Sequence, residues 1–252
     1  MADLLHKTKG LVLKTVKYRE TSIIVSIYTE LLGLQSYLVN GVRSASKKGS
    51  SKAGFFQPGA LLDLVVYYNE FKQLNRIKEF KWAAIHANLY TDVLKNGVAL
   101  YMTELLTRCL KEPENNPDLF AFIEDSWKHL NDCSDSVMAN FPVFFSVHLP
   151  VFFGFVPRYA AAGRHEEGAL LFDLQEGIFT TELPAHSFYL EARYARIVDE
   201  LLRVRHPDEL AEIPSNAQAR SKILEAMELY YSLHIQDFGK LKSLPVLKEI
   251  LR

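Results

Sequence analysis

Cysteine is scarce in this chain of 252 residues, and long uninterrupted apolar runs are absent. The two cysteines, Cys109 and Cys133, do not form a CxxC pair, which argues against a disulfide framework and against a thiolate metal site. The most apolar stretch, residues 143–156, contains polar residues and a proline, and it is shorter than the roughly 20 residues that span a bilayer. We therefore predict that this stretch is a buried core segment and that the protein does not associate with membranes. The two separate cysteines fit a location in the reducing cytoplasm.

The motifs of common enzyme classes are also missing. The sequence contains no GxxxxGK[ST] phosphate loop, no HExxH, no GxSxG and no GxGxxG. No two of the eight histidines are three or four residues apart, the spacing at which they would share a helix face as metal ligands. We predict no catalytic residue, no metal and no cofactor. Carboxylates from distant segments could still meet around a metal, so a metal-dependent nuclease is kept as an alternative.

The net charge of −1 conceals an asymmetry between the two parts of the chain. Residues 1–80 contain 12 lysines and arginines against six acids, a net charge of +6, whereas the remainder carries 17 basic and 24 acidic residues, a net charge of −7. A basic head on an acidic body is typical of a polyanion-binding module joined to a second domain of different purpose. Besides the nuclease, a second alternative to a DNA-binding function is kept. It is a protein adaptor that does not bind DNA and whose basic head is incidental.

Short β-type segments occupy the first 80 residues, where apolar and polar side chains alternate between turn residues. The candidate strands cover residues 9–18, 22–29, 34–40, 60–68 and 73–80. Five short strands in about 75 residues fit a closed Greek-key barrel such as the OB-fold. We therefore predict a five-stranded OB-fold β barrel over residues 1–80.

After residue 82 the apolar spacing becomes that of helices. Candidate helices cover 84–111, a segment that starts at Asn116-Pro117, and 136–153, 188–205 and 216–236. Asn116 is the predicted cap of the second helix, and Ser215 to Gln218 has the S-x-x-Q form of a capping box before the last. Residues 155–187 are rich in glycine and proline and are predicted to be irregular. The predicted fold class is therefore α+β multidomain, with a mainly α-helical domain over 81–252.

Basic residues of the predicted barrel are the candidates for DNA contact. The stretch 41–54, GVRSASKKGSSKAG, has four basic residues and no acid, and its glycines and serines are typical of a flexible loop. OB-fold barrels bind single strands through a basic groove and aromatic faces. The predicted DNA-binding residues are Arg43, Lys47, Lys48 and Lys52, followed by Lys7, Lys9, Lys14 and Arg19. The candidate base-stacking residues, for each of which core packing is the preferred interpretation, are Tyr28, Tyr37, Tyr67 and Tyr68.

Five short motifs occur in one order along nearly the whole chain. They are the run from Gly10 to Gly33 followed by Gly41-Val42-Arg43, then LNRIKEF at 74–80, YMTELL at 101–106, LPVFFGFVP at 149–157 and Lys242-Ser243. In their order and spacing these motifs resemble the family of the bacterial DNA repair protein RecO.

The resemblance implies an N-terminal OB-fold and a C-terminal helical domain. It also implies a non-enzymatic recombination mediator that binds single- and double-stranded DNA and anneals complementary strands. The implied protein partners are RecR and the acidic C-terminal tail of single-stranded DNA-binding protein (SSB), so that RecA can be loaded. The implied location is the bacterial cytoplasm, at the nucleoid during repair.

The sequence departs from this family in one region. Many RecO proteins carry a four-cysteine zinc module after the Gly-Phe-x-Pro motif, but residues 158–180 of this chain contain no cysteine. A structural zinc site needs about four ligands, and His165 alone cannot supply them. We therefore predict that the irregular segment replaces the zinc module without metal. The residues expected to form a small apolar patch in its place are Tyr159, Leu171, Phe172 and Phe179.

Overall fold

The computed structural model describes residues 4–42, 52–160 and 170–252, and the chain divides into two compact units. The first unit comprises residues 1–87 together with 106–127, and the second comprises 88–105 together with 128–252. Residues 106–127, which lie in the predicted helical domain, thus pack with the barrel. The domain boundary predicted after residue 80 stays a prediction.

A closed β barrel forms the greater part of the first unit. Its strands are β1 (Leu4–Tyr18), β2 (Ser22–Thr29), β3 (Gly33–Val39), β4 (Leu61–Tyr68) and β5 (Asn75–Trp82). Their order around the barrel is β1-β2-β3-β5-β4, and the β3–β5 pairing is the parallel one. All five predicted strands are present, and the predicted fold class, an OB-fold barrel followed by a mainly helical region, is confirmed.

Strand β1 pairs with two neighbouring strands because it is long and bends in the middle. Its first half pairs with β4 and its second half with β2, and the register shifts between Val12 and Lys14. A shift of this kind is a β-bulge, which bends a strand and increases its twist. The 3-10 turn Lys52–Phe56 packs beside the second half of β1, where the Thr15 hydroxyl donates a hydrogen bond to the Phe56 carbonyl oxygen at 2.5 Å.

The barrel interior is filled by alternate residues of the strands, as the period of two requires. The interior residues of β2 and β4 are Ile23, Val25, Ile27, Leu62, Leu64 and Val66, all of them buried. Phe56 of the 3-10 turn joins this core and packs edge-to-face on Phe80, with ring centroids 4.7 Å apart. The residues that alternate with this set therefore point out of the barrel.

The turn between β2 and β3 depends on Gly33. The backbone of Gly33 has φ +63°, in the left-handed region, and its carbonyl oxygen accepts a hydrogen bond from the Thr29 hydroxyl at 2.9 Å. A β-carbon at this position would lie 2.4 Å from the carbonyl oxygen of Glu114. Only glycine fits this backbone conformation and this close approach without strain.

Helices occupy most of the chain after the barrel. They are α1 (Ala87–Thr91), α2 (Val93–Cys109), α3 (Pro117–Asp132), α4 (Asp135–His148), α5 (Ala192–Arg203), α6 (Ala217–His234) and α7 (Ser243–Ile250). The sequence did not predict α7, and the single helix predicted over 84–111 is divided into α1 and α2. The Asp92 carboxylate, which accepts from the backbone N–H groups of Leu94 and Lys95, caps the start of α2.

The two predicted helix caps have different outcomes. Asn116 caps α3, since its side-chain oxygen accepts from the Leu119 N–H at 3.0 Å, and this prediction is confirmed. The capping box at Ser215 is wrong, because the cap of α6 is Asn216, whose side-chain oxygen accepts from the Ala219 N–H at 2.8 Å. The Ser215 hydroxyl instead donates to the buried side chain of Asn140.

Residues 155–187, predicted to be irregular, contribute to a small sheet, so that prediction is wrong for the described part of the segment. The strands are β6 (Arg158–Tyr159), β7 (Leu171–Asp173), β8 (Ile178–Thr180) and β9 (Tyr189–Leu190), in the order β6-β8-β7-β9. The expected apolar patch is present in Phe172 and Phe179, which stack at 4.8 Å, and in Tyr159, 5.3 Å from Phe179. Leu171 is only half-buried.

A polar cluster ties this sheet to α5. The Tyr159 hydroxyl on β6 donates to the buried carboxylate of Asp199, and Arg203, one helical turn further along α5, donates to the same carboxylate. A buried carboxylate is stable only when its oxygens are paired, and here both have a partner. This cluster and the aromatic patch hold the described part of the segment against α5.

The most apolar helix lies inside the second unit. Among the described residues, Asp135–Phe153 is the one helical segment long and apolar enough to cross a membrane by composition, and two-thirds of it is buried. Core helices of soluble proteins have the same composition. Ten of the 14 residues of α4 are buried, among them Phe141, Phe145 and Val147, which supports the predicted core segment.

Two of the sequence motifs meet at the start of α7. Glu104, in the YMTELL motif of α2, accepts hydrogen bonds from the backbone N–H groups of Lys242 at 3.0 Å and Ser243 at 2.7 Å. The Ser243 hydroxyl donates to the same carboxylate at 2.6 Å. A helix start leaves backbone N–H groups without partners and attracts negative charge. Glu104 therefore caps α7 from a distant part of the chain.

Replacing Glu104 by alanine should lower the free energy of unfolding of the second unit by about 2–3 kcal/mol, since three charge-assisted hydrogen bonds are lost. Glu104→Gln, which keeps one acceptor, should cost about 1 kcal/mol. Amide hydrogen exchange at Lys242 and Ser243 should accelerate in both variants. The control is Glu249→Ala on α7, which removes only an exposed ion pair with Arg252 and should cost under ~0.5 kcal/mol. Equal losses for Glu104→Ala and Glu249→Ala would contradict the capping role.

Candidate nucleic-acid interface

The predicted basic loop is only partly within the described residues. Arg43, Lys47 and Lys48 lie outside them. Lys52 begins the 3-10 turn and is exposed, and no ion-pair partner for it is found in the described part of the chain. The turn that Lys52 begins is joined to the second half of β1 by the hydrogen bond between Thr15 and Phe56.

The first half of β1 presents its lysines to acidic neighbours. Lys9 donates to Glu124 at 2.5 Å, and this hydrogen bond is the main cause of the raised pKa of Lys9. Lys81 of β5 forms an ion pair with Asp63 of β4 at 3.3 Å. Lys9 and Lys81, with exposed Lys7, line a shallow cleft of about 550 Å³ whose acidic members are Glu30, Asp63 and Glu79. The cleft is thus of mixed charge, and a phosphate at Lys9 would have to displace Glu124.

The second half of β1 has a different environment. Lys14 follows the bulge, points outward opposite Ser26, and has no ion-pair partner among residues 4–42, 52–160 and 170–252. Arg19 lies in the β1–β2 turn with a left-handed backbone, φ +53°, and its guanidinium lies 5.3 Å from the ring centroid of Tyr18. The two predicted residues Lys14 and Arg19 are therefore exposed on the same half of the barrel.

Strand pairing extends this basic half into a continuous surface, which we call the outer face. One cross-strand row runs from Lys14 through Ser26 to Ser36, and the next runs from Val16 through Ile24 and Leu38 to Arg76. The outer face comprises Lys14, Val16, Ile24, Ser26, Ser36, Leu38 and Arg76. Its centre consists of serines and apolar side chains, and an exposed cation stands at either side. OB-folds bind oligonucleotides on the face of their second and third strands, between the β1–β2 and β4–β5 loops.

Sequence reasoning did not select Arg76. Its position on the outer face follows from the parallel pairing of β3 with β5, which places Arg76 beside Leu38. These residues are 38 positions apart in the sequence, and no local pattern indicates which strand lies next to β3. The only available signal was the alternation within β5, which marks Arg76 as exposed.

The four tyrosines named as stacking candidates fall into two classes. Tyr28 and Tyr37 are fully buried, so base stacking is excluded for them and the preferred interpretation, core packing, is confirmed. Burial raises the pKa of both hydroxyls. Tyr28 is further fixed by the Asn116 N–H, which donates to its hydroxyl at 3.2 Å. Tyr67 and Tyr68 are half-buried at the end of β4.

The described residues do not fit a zinc site. In the ranges 4–42, 52–160 and 170–252, no three histidine, cysteine or acidic side chains are grouped so that they could hold a metal ion. Burial raises the pKa of both cysteine thiols, which disfavours the thiolate form that zinc binds. Neither cysteine belongs to residues 158–180, where many relatives are expected to carry the zinc module.

Comparison with known proteins assigns both parts of the chain. The family model described as recombination protein O N terminal matches residues 1–86, and that described as recombination protein O C terminal matches residues 90–245. The chain is 36% identical over 250 residues to the DNA repair protein RecO of Bacteroides fragilis, covering 98% of this chain and 99% of that protein. The RecO proteins of Phocaeicola vulgatus and Christiangramia forsetii are 34% and 32% identical over 247 residues, again covering 98% of this chain and 99% of each relative.

Proposed function

Because the chain belongs to the recombination protein O family, with a role in DNA repair and recombination, we propose that it is a non-enzymatic recombination mediator. It binds single- and double-stranded DNA through the barrel and anneals complementary strands. The observation that carries this proposal is the outer face, where Lys14 and Arg76 flank a strip of serines and apolar side chains.

The charges of the barrel supply the physical basis for annealing. Two complementary strands repel each other until their phosphates are neutralised, and lysine or arginine contacts do this while releasing condensed counterions. Phosphate contacts carry no sequence information, so a mediator that uses them accepts any pair of complementary strands. The proposed phosphate contacts are Lys14, Arg19, Lys52 and Arg76, with Arg43, Lys47, Lys48 and Lys7 as further sequence-based candidates.

The same proposal includes the protein partners that the family resemblance implies. The mediator acts with RecR, recognises the acidic tail of SSB, and helps RecA to assemble on strands that SSB has coated. It works without a cofactor in the bacterial cytoplasm, at the nucleoid during repair. Lys9 is the weakest of the predicted DNA contacts, because its ammonium already donates to Glu124.

One set of assays separates this function from its alternatives. The protein should retard a single-stranded oligonucleotide at about 50 mM salt, release it as salt rises, and accelerate annealing of complementary strands that SSB coats. Absence of retardation at low salt would favour a protein adaptor over a mediator. Cleavage of labelled DNA in the presence of magnesium, abolished by chelation, would instead favour a metal-dependent nuclease.

A further inference from the structure

A phenylalanine is displayed to solvent at one end of the barrel. Phe71 lies in the loop of residues 69–74 between β4 and β5, and it is 72% exposed. A single exposed apolar side chain is common on soluble proteins. Phe71 differs from such a residue in two respects. Hydrogen bonds fix the backbone of its loop, and further exposed apolar side chains and basic residues lie near it.

The loop that carries Phe71 is held by hydrogen bonds at both ends. The Phe71 N–H donates to the Asn69 side-chain oxygen at 3.1 Å, which forms an Asx turn, and the Lys72 N–H donates to the Asn69 carbonyl oxygen at 3.0 Å. The Asn69 N–H in turn donates to the side-chain oxygen of Asn75, which is buried in the first position of β5. The backbone that presents the ring is therefore fixed, and a ligand can engage it at a low entropic cost.

Further apolar side chains are exposed at the same end of the barrel. Leu4 and Leu5 at the start of β1 are 63% and 50% exposed, and they pair with Tyr68 and Tyr67 at the end of β4. Leu74, in the loop itself, is 37% exposed. Exposed apolar side chains grouped at one end of a domain are more typical of a binding site than scattered single ones are.

Charge around this apolar end favours an anionic partner. Arg76, which belongs to the outer face, pairs with Tyr67 in the next cross-strand row, so the apolar end is continuous with the outer face. Lys72 follows Phe71 directly, and Glu70 precedes it. A ligand that offers flat apolar rings attached to an anionic backbone matches this arrangement, and single-stranded DNA has that chemistry.

We propose that Phe71 stacks on an unpaired base and gives the barrel a preference for single strands over duplex. This inference rests on the proposed DNA-binding function of the barrel. The bases of a duplex are stacked on one another, so their faces are not accessible to a protein ring. An unpaired base can stack on such a ring. A base that stacks on Phe71 is held unpaired, which is the state that annealing requires.

Phe71→Ala should weaken the binding of a thymidine oligonucleotide about tenfold, the typical effect of losing one aromatic–base stack. Binding of a duplex of equal length should change less than about twofold, and the salt dependence for single strands should stay the same because no phosphate contact is removed. The melting temperature should also be unchanged, since the exposed ring makes few native contacts.

A fluorescent variant reports the stacking directly. Phe71→Trp should bind single strands as tightly as the natural protein, and the thymidine oligonucleotide should quench the added fluorescence, measured as the difference from the natural protein. The matched control is Ile85→Trp. Ile85 is 76% exposed and lies three residues beyond Trp82, at the opposite end of β5 from the loop. Its added fluorescence should not be quenched.

The outcomes distinguish this inference from the function on which it rests. Natural-strength binding of single strands by Phe71→Ala, or no quenching in Phe71→Trp, overturns the inference while leaving the DNA-binding proposal intact, and would point to a protein at this apolar end. An equal loss for single strands and duplex also overturns it. If the natural protein binds neither kind of DNA, the proposed function fails and this inference fails with it.

Discussion

Replacing Lys14 and Arg76 together by alanine should weaken single-strand binding about 60-fold at 50 mM salt and about 10-fold at 200 mM salt. The magnitude follows if each cation contacts one phosphate, since each such contact on a single strand contributes about 0.7 to the slope of log affinity against log salt. The double variant should therefore flatten that slope by about 1.4. Both side chains are exposed on the outer face, so their removal should leave the barrel folded.

Fluorescence anisotropy of a labelled oligonucleotide, titrated at four or five salt concentrations, measures both quantities. The control is Lys222→Ala with Lys248→Ala, which makes the same change in net charge in the second unit, where both lysines pair with Glu225. This control should change affinity less than about threefold, because long-range charge is screened at these salt concentrations. A double Lys14 and Arg76 variant whose salt slope equals that of the control would remove the outer face from the DNA-binding site.

Gly33→Ala should lower the free energy of unfolding of the barrel by about 3–5 kcal/mol. A left-handed backbone costs a residue with a β-carbon about 1–2 kcal/mol. The remainder comes from the approach of that β-carbon to within 2.4 Å of the Glu114 carbonyl oxygen. Because this oxygen belongs to the backbone, the clash can be relieved only by a shift of the main chain. Urea denaturation followed by tryptophan fluorescence measures this effect, since both tryptophans of the chain, Trp82 and Trp127, lie in the first unit.

Gly41→Ala separates the two contributions. Gly41 also has a left-handed backbone, with φ +68°, but a β-carbon there meets no atom of the described residues within 4 Å. It should therefore lose only the conformational part, about 1–2 kcal/mol. If Gly33→Ala and Gly41→Ala were equally destabilised, the close approach to Glu114 would be relieved at little cost and the argument from crowding would be wrong.

The sequence predicted local structure well where one face of an element is buried. Alternation over 22–29 placed Ile23, Val25 and Ile27 on one side, and these residues fill the barrel. The cap at Asn116 was also readable, because it depends on the three residues that follow it. The cap at the start of α6 was assigned one residue too early, because Ser215 and Asn216 are both good caps and the choice is made by Asn140, which takes the Ser215 hydroxyl.

The functional residues were predicted less completely than the strands, and Lys9 illustrates the reason. Composition treats every lysine of the basic head alike, but Lys9 lies against a helix that supplies Glu124, 115 positions away. Lys14, five residues further along the same strand, faces serines across the sheet and has no such neighbour in the described ranges. The availability of a cation thus depends on partners that are distant in the sequence.

The sequence by itself determined the period of each segment, the basic head, the absence of cysteine from residues 158–180 and the order of motifs along the chain, because all of these are properties of residue identity and position that do not depend on which segments are in contact. Tertiary structure decided which strands are neighbours. It therefore decided that Arg76 joins Lys14 on one face, that Glu104 caps a helix that begins 139 residues later, and that Asp199 joins β6 to α5. Such pairings are selected by the burial of whole faces, and no local pattern encodes them.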